Sequence, residues 1–368
     1  MNKKFPKKFK KPNFKRAKLY TERFKRDRQP TAMDYEQAVQ DLPRITNETV
    51  AEHREEVLGS ARKFIYPLSH SKKRIVIISS SIFGVVLVGA IVYIMLALYS
   101  FQSTSTFIYR VTQVLPLPVA RAGSDFVSYE SYLFQLRHYM HYYETQQKVD
   151  FSSDSGKEQL ASYRKQALEQ VVNARYVHQL AKEHNVSVTD QDVEDTLALL
   201  RSQNRLGSTN QVLEDVLKEF WGWSLKDFKR ELREQLLAQK LAQKLDTNTN
   251  QRANEALHKL AAGGDFATIA KEYSSDPSVS QTGGEYPALI DETNRDVPPQ
   301  VLKTLQELQP GQVSPVIATG SSLEIIKLLS NDGGKYKAAH IIFTLKPITT
   351  YVDNLKKEST PSYYIAKD

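Results

Sequence analysis

IVIISSSIFGVVLVGAIVYIMLALYSF, Ile75 to Phe101, divides the chain in two. No charged residue interrupts it. As a helix rising about 1.5 Å per residue it measures about 40 Å, more than the hydrocarbon core of a bilayer at about 30 Å. Gly84 and Gly89 are ordinary in membrane helices, and Ser79, Ser80 and Ser81 can return their hydroxyls to carbonyls one turn back. A buried helix of a soluble core would need chain wrapped around it on every side. The stretch reads as a membrane span. Lys72, Lys73 and Arg74 precede it directly, and the first charge after it is Arg110. The positive-inside rule then puts the N-terminus in the cytoplasm and everything beyond about residue 101 outside. The run lies too far in, and is too long, for the apolar part of a cleaved signal, and no small-residue cleavage pattern follows it. The expectation is an uncleaved single-pass anchor in the cell membrane with a large exported part.

A chain of 368 residues leaves room for two domains beyond the anchor. Its net charge of +8 is uneven: residues 1–30 hold thirteen Lys or Arg against Glu22 and Asp27, while the rest carries 37 basic and 40 acidic residues. The basic character belongs to the tail, so the exported part gives no argument for nucleic acid. Cysteine is absent, which excludes disulfides, zinc–thiolate sites, cysteine nucleophiles and a lipoprotein anchor. The tail interleaves its cations with Phe5, Phe9, Phe14, Tyr20 and Phe24. It is too polar to fold alone. Beside anionic headgroups each cation contributes about 1 kcal/mol. The sharper reading is ribosome or nucleic-acid contact through stacked aromatics, but topology already accounts for the charge.

Thr49-Val-Ala-Glu52 has capping-box spacing and opens a juxtamembrane helix to about Tyr66, stopped by Pro67. Beyond the membrane, a Pro-punctuated stretch becomes helical near Ser128. His138 and His141 share one helix face, but no third ligand stands at useful spacing. Leu168, Val171, Val172, Tyr176 and Leu180 repeat at helical spacing. Ser187-Val-Thr189-Asp190 and Trp221-Gly-Trp223-Ser224 break the pattern and cap the helices over Gln191–Gln203 and Leu225–Leu245. On residue pattern alone this is an α-helical domain.

Two segments of that domain, ALEQVVNARYVHQLAKEHNVSVTDQDVEDTLALL (167–200) and GWSLKDFKRELREQLLAQKLAQKL (222–245), resemble the N-terminal chaperone region of SurA- and PrsA-type foldases. Further on, ANEALHKLAAGGDFATIAKEYSSDPSVSQTGG, residues 253–284, is similar to the parvulin (PpiC-type) peptidyl-prolyl isomerases: helix, Gly-Asp-Phe, Tyr-Ser-x-Asp, Gly-Gly-acid. Val297-Pro298, then Pro310-Gly311-Gln-Val313-Ser314-Pro315-Val316 and the strand Ser322–Lys327 continue that pattern. The resemblance implies a polar catalytic set of Asp276, His340 and Glu324. It also implies substrate-binding positions at Val301, Leu305 and Thr319.

Departures from the pattern are plain. Glu324 stands where the last strand usually has histidine, and Leu305 where an aromatic lines the proline pocket. Pro287 replaces a glycine. The family's first strand is missing ahead of the domain, where Asn248–Gln251 run straight into a helix. A similar strand, Lys337-Ala-Ala-His340-Ile-Ile-Phe343, follows the last one across the hairpin signal Asp332-Gly333-Gly334. Either the domain is circularly permuted, with 338–344 pairing against 322–328, or a second repeat is truncated. Each site residue also has a structural reading: Asp276 as a cap before Pro277, His340 as a satisfied core histidine, Glu324 as a solvent-facing strand residue.

The expected plan is α+β. A basic disordered cytoplasmic tail (1–45) leads to a juxtamembrane helix (46–74) and a transmembrane helix (75–101). A linker (102–127), an α-helical chaperone domain (128–247) and a parvulin-like antiparallel-sheet domain (248–368) follow. The resemblance implies a membrane-anchored extracytoplasmic foldase for unfolded or newly exported polypeptides, isomerising prolyl bonds, or a catalytically inactive holdase on the same fold. Its membrane partner is lipid, through Ile75–Phe101 and the tail. No phosphate loop or ligand cluster points to a cofactor or metal.

Overall fold

The structure, a computed structural model, describes residues 46–65, 72–207 and 209–366, without the side chains of 63–65 and 72–74. The basic tail over 1–45 and the stop at Pro67 lie outside the described residues. The chain divides into two units, Met1–Val88 and Gly89–Asp368.

In the first unit, helix α1 (Asn47–Ile65) starts one turn earlier than its sequence signal. Thr46 is the cap: its hydroxyl accepts from the Thr49 amide at 3.3 Å, and Thr49 Oγ1 accepts from the Thr46 amide at 3.0 Å. The reciprocal pair is therefore Thr46 with Thr49, since a hydroxyl at the third helical position substitutes for the usual acid. Helix α2 (Lys72–Met95) follows. Among the described residues one helix, Ile75–Ser100, is long and apolar enough to cross a bilayer. Its side chains from Ile75 to Tyr93 are exposed but for the half-buried Gly84.

The second unit begins inside that helix. A π-helical turn, Leu96–Ser100, ends it, and there Ala97 and Leu98 turn inward. They join a core shared with α3 (Thr106–Val114), β1 (Pro118–Ala122), β2 (Asp125–Ser128), α4 (Tyr129–Thr145) and α5 (Asp154–Glu183). Residues 102–127 are thus not a linker: Ile108, Val119, Ala120 and Ala122 are all buried. Proline punctuation disguised this, because Pro118 opens β1 at its end, where it disturbs the ladder least. Helices α6 (Asp190–Ser202), α7 (Asn210–Trp221) and α8 (Leu225–Leu245) complete the helical part. Thr189 and Ser224 cap α6 and α8 with full capping boxes to Asp192 and Asp227.

Asp246, 1% exposed, ends α8 and caps α9 (Thr247–Ala261). Its carboxylate accepts from Thr249 Oγ1 and from the Lys346 amide, each at 2.8 Å, tying both ends of the next domain together. That domain continues through α10 (Phe266–Tyr273), α11 (Pro277–Thr282), α12 (Pro299–Glu307), β3 (Ile317–Ala318), β4 (Ser322–Asp332) and β5 (Lys335–Thr344). The sheet order is β3-β4-β5, all antiparallel. Alternation along β4 and β5 splits the core by face. Leu323, Ile325, Ala339, Ile341 and Phe343 pack under α9 and α10, while Ile326, Leu328 and Ala338 meet Val301, Leu302 and Leu305 of α12.

After β5 the chain returns to the helical part. Helix α13 (Ile348–Glu358) and strand β6 (Ser362–Tyr363) carry Val352 and Ile365 into the first core, and β6 pairs with β1 in the order β2-β1-β6. Residues 348–366, expected in the parvulin-like domain, therefore build the helical one. Two arginines clasp the parts together. Arg205 donates to the carbonyls of Asn294 (3.1 Å) and Val297 (2.6 Å), and Arg295 donates to the carbonyl of Gln203 at 2.8 Å.

Candidate active site

Residues 338–344 pair with 322–328: Glu324 lies opposite Ile342, and Ile326 opposite His340. Residues directly opposite share a face, so Glu324 and His340 meet diagonally on the side that bears α12. Their side chains are 5% and 10% exposed, and His340 Nδ1 sits 3.1 Å from Glu324 Oε2. The tautomer that donates Nδ1–H to the carboxylate leaves Nε2 as an acceptor. Glu324 Oε1 accepts from Thr319 Oγ1 at 2.9 Å, and Tyr286 OH reaches Oε2 at 3.5 Å. Tyr286 also stacks on His340, centroids 3.8 Å apart at 27°. Burial first, then the Glu324 charge, push the Tyr286 phenol well above its ordinary value, which keeps it a donor.

Glycine positions this tyrosine. The Gly284 carbonyl accepts from the His340 amide at 2.8 Å, and the Tyr286 amide donates to Ala338 at 3.0 Å, so the segment runs along the outer edge of β5. Gly284 has φ +93°, and a Cβ there would stand 2.6 Å from the His340 carbonyl oxygen. Only glycine fits. On the same strand, Ser275 donates its amide to the Ile342 carbonyl at 2.7 Å, docking the Tyr-Ser-Ser-Asp loop. Asp276 caps α11, its Oδ1 accepting from the Ser278 hydroxyl (2.7 Å) and amide (2.8 Å). Those bonds hold its carboxyl below the usual range, with a smaller contribution from His340.

The structure thus gathers Glu324, His340 and Thr319 into one cluster, whereas Asp276 makes its bonds to Ser278 as the cap of α11. Glu324 is buried, against the solvent-facing alternative. Val301 and Leu305 are 0% exposed and lie in the core beneath the cluster. Tyr286 is the member that sequence reading missed. Its signal is its place directly after Gly283-Gly284-Glu285. His138 and His141 diverge: His138 stacks on Trp223 at 4.2 Å, whereas His141 Nε2 bonds the Glu219 carbonyl at 2.9 Å. Among the described residues no three of His, Asp or Glu gather as a metal site.

Comparison with known proteins gives two family matches. Residues 72–242 match the SurA-like N-terminal domain and residues 236–330 the PPIC-type PPIASE domain. A "Chaperone SurA" from Aromatoleum aromaticum is 39% identical over 83 residues, covering 23% of this chain and 18% of the relative. A second, from Methylobacillus flagellatus, is 32% identical over 111 residues, covering 29% and 24%. The chain thus spans about a quarter or less of these SurA relatives. "Foldase protein PrsA 4" of Bacillus cereus is 28% identical over 224 residues, covering 56% of this chain and 72% of the relative. The crystal structure of foldase protein PrsA from Streptococcus pneumoniae is 22% identical, covering 56% of this chain and 80% of its own, with a TM-score of 0.21.

Proposed function

We propose that this chain, which joins a SurA-like N-terminal domain to a PPIC-type PPIase domain, is a membrane-anchored extracytoplasmic foldase. Its helical domain holds unfolded, newly exported polypeptides, and its parvulin-like domain isomerises their prolyl bonds. Ile75–Ser100 is the anchor, with the N-terminus cytoplasmic. The observation that carries the reading is the Tyr286–Glu324–His340 cluster on paired strands. Prolyl isomerisation breaks no bond. Its barrier of about 18–20 kcal/mol is amide resonance, and polar groups fixed in a dry site can favour the twisted amide. His340 Nε2 and the Tyr286 hydroxyl are the groups suited to that task, with Glu324 and Thr319 orienting them.

The domain is circularly permuted in this reading. The β4–β5 pairing supports it, as does the end of the PPIC-type match at residue 330, before β5 begins. Replacing 335–344 by a flexible linker should then unfold the domain. A domain that stays folded would favour a truncated second repeat.

The test of function is a protease-free isomerisation assay on the full chain in lipid nanodiscs. Acceleration that falls about tenfold or more in Asp276→Ala and His340→Ala supports catalysis at this site. A second reading, a catalytically inactive holdase, is favoured by the complete burial of Val301 and Leu305, which leaves them no open proline socket. No acceleration, with aggregation of an unfolded client still suppressed, would establish that one.

A further inference from the structure

The last turns of the apolar helix, from Gly89 on, belong to the second unit and are built into its core. Leu98 is fully buried, and its carbonyl accepts from Tyr129 OH at 2.6 Å. Tyr99 OH donates to the Pro118 carbonyl at 2.7 Å. The segment leaving the helix is held as well: Arg137 donates to the Thr104 carbonyl at 2.6 Å, and the Ser103 amide to Ala97 at 2.8 Å.

Around this fixed exit lies a set of large apolar side chains that nothing covers. Phe101 is 73% exposed, Phe107 62%, Val114 80% and Leu115 44%. Phe107 and Val114 are two turns apart on the outward face of α3, opposite the buried Ile108 and Thr112. Tyr364, 43% exposed, follows β6, and its amide donates to the Val119 carbonyl of β1 at 2.9 Å. The charge pattern agrees. No Asp or Glu occurs between Glu56 and Asp125, and Arg110 is exposed on α3.

We propose that this face rests in the headgroup–acyl boundary of the bilayer that the anchor crosses, with α3 as an interfacial helix and Phe101, Phe107, Val114 and Leu115 inserted. The proposal rests on the membrane-anchor reading above. The patch is continuous with the apolar helix, so lipid is the first apolar phase it meets. An amphipathic helix of this kind seats its apolar face about 5–10 Å into the boundary. A tyrosine such as Tyr364 suits the same depth. The stretch brings no carboxylate to the headgroups, and the Arg110 guanidinium can bond a lipid phosphate. The helical domain is then held flat against the membrane instead of swinging from it.

Because the chain has no cysteine, single-cysteine probes test this directly. The full chain carrying V85C, F107C, V114C or K303C, labelled with an environment-sensitive fluorophore, is reconstituted in phosphatidylcholine–phosphatidylglycerol vesicles. Spin-labelled lipid should quench the probes at 107 and 114 at least about twofold more than at the exposed Lys303 site, and Val85 most of all. Quenching at 85 but not at 107 and 114 overturns the interfacial face while leaving the anchor intact. No quenching at 85 overturns the anchor reading and the proposal with it. Shielding at 107 and 114 that appears only with an unfolded client, or only as protein concentration rises, assigns the face to a peptide or a second copy, and also overturns it.

Discussion

His340 and Glu324 lie two pairs out of direct register on adjacent strands, yet Nδ1 and Oε2 stand 3.1 Å apart in the core of the sheet. The bond works because Thr319 and Tyr286 use the remaining capacity of the carboxylate. A buried carboxylate is tolerable only with its partners in place.

Glu324→Ala removes the acceptor shared by the buried His340 and the half-buried Thr319 and Tyr286. It should lower stability by about 2–4 kcal/mol in urea unfolding, and Glu324→Gln by distinctly less. A cycle with His340→Ala should give a coupling of about 1–3 kcal/mol. Independent, additive effects would deny the pairing.

Arg205→Ala should open the joint between the two domains. Its guanidinium bonds Val297 and Asn294 carbonyls, and bonds to charged donors contribute about 1.5–3 kcal/mol each in good geometry. Hydrogen exchange should rise across 291–299 while the β4–β5 ladder stays protected. Unchanged exchange in that loop would count against the clasp.

Asp246 gives the fold an acid limb. Burial pushes its carboxyl up, but bonds from the Lys346 amide and from Thr249 outweigh that, leaving it below its ordinary 3.8. A carboxylate lowered on folding stabilises fully above its unfolded value and loses that contribution as pH falls through the folded one. Asp246→Asn should flatten urea stability below about pH 4 and cost about 1 kcal/mol at neutral pH through the weakened cap.

His138 should act at milder acidity. Burial pushes it down to about 4, with His141 adding slightly and a backbone bond at Trp221 opposing. Arg137, His141, Asp227 and Tyr109 line the same small cavity. The unfolded chain takes up this proton first, so stability falls as pH drops from 6.5 toward 4, by on the order of 1–2 kcal/mol after solvent screening. His138→Leu should remove that slope. A slope that persists would place its origin elsewhere.

Local signals carried the helices well. The caps fall within the two segments read as breaks, at Thr189 and Ser224, and the glycine pair at 333–334 makes the hairpin, with φ +56° and +85°. The pairing of His340's strand with 322–328 was legible from the hairpin signal at Asp332-Gly333-Gly334 and from the family resemblance, which sets the first and last strands side by side. What sequence reading lost was long-range. Nothing near Ile365 says that it fills a core begun at Ala97, and nothing near Val119 says that its strand awaits one more than two hundred residues later. The site was half legible. Asp276, Glu324 and His340 came from a motif, whereas Tyr286 reaches the cluster only because Gly284 lets the backbone lie against β5.

The return of α13 and β6 to the first core also sets an order of assembly. During synthesis from the N-terminus, the domain closed by Asp246 and Lys346 has all its strands once residue 346 has emerged. The helical domain at that moment still has β1 unpaired on one side and vacant places for Val352 and Ile365. Domains fold as units, so the inserted one can finish first, inside a host that is still ajar. A chain interrupted before residue 362 therefore leaves β1 with an open edge, the kind that recruits foreign strands.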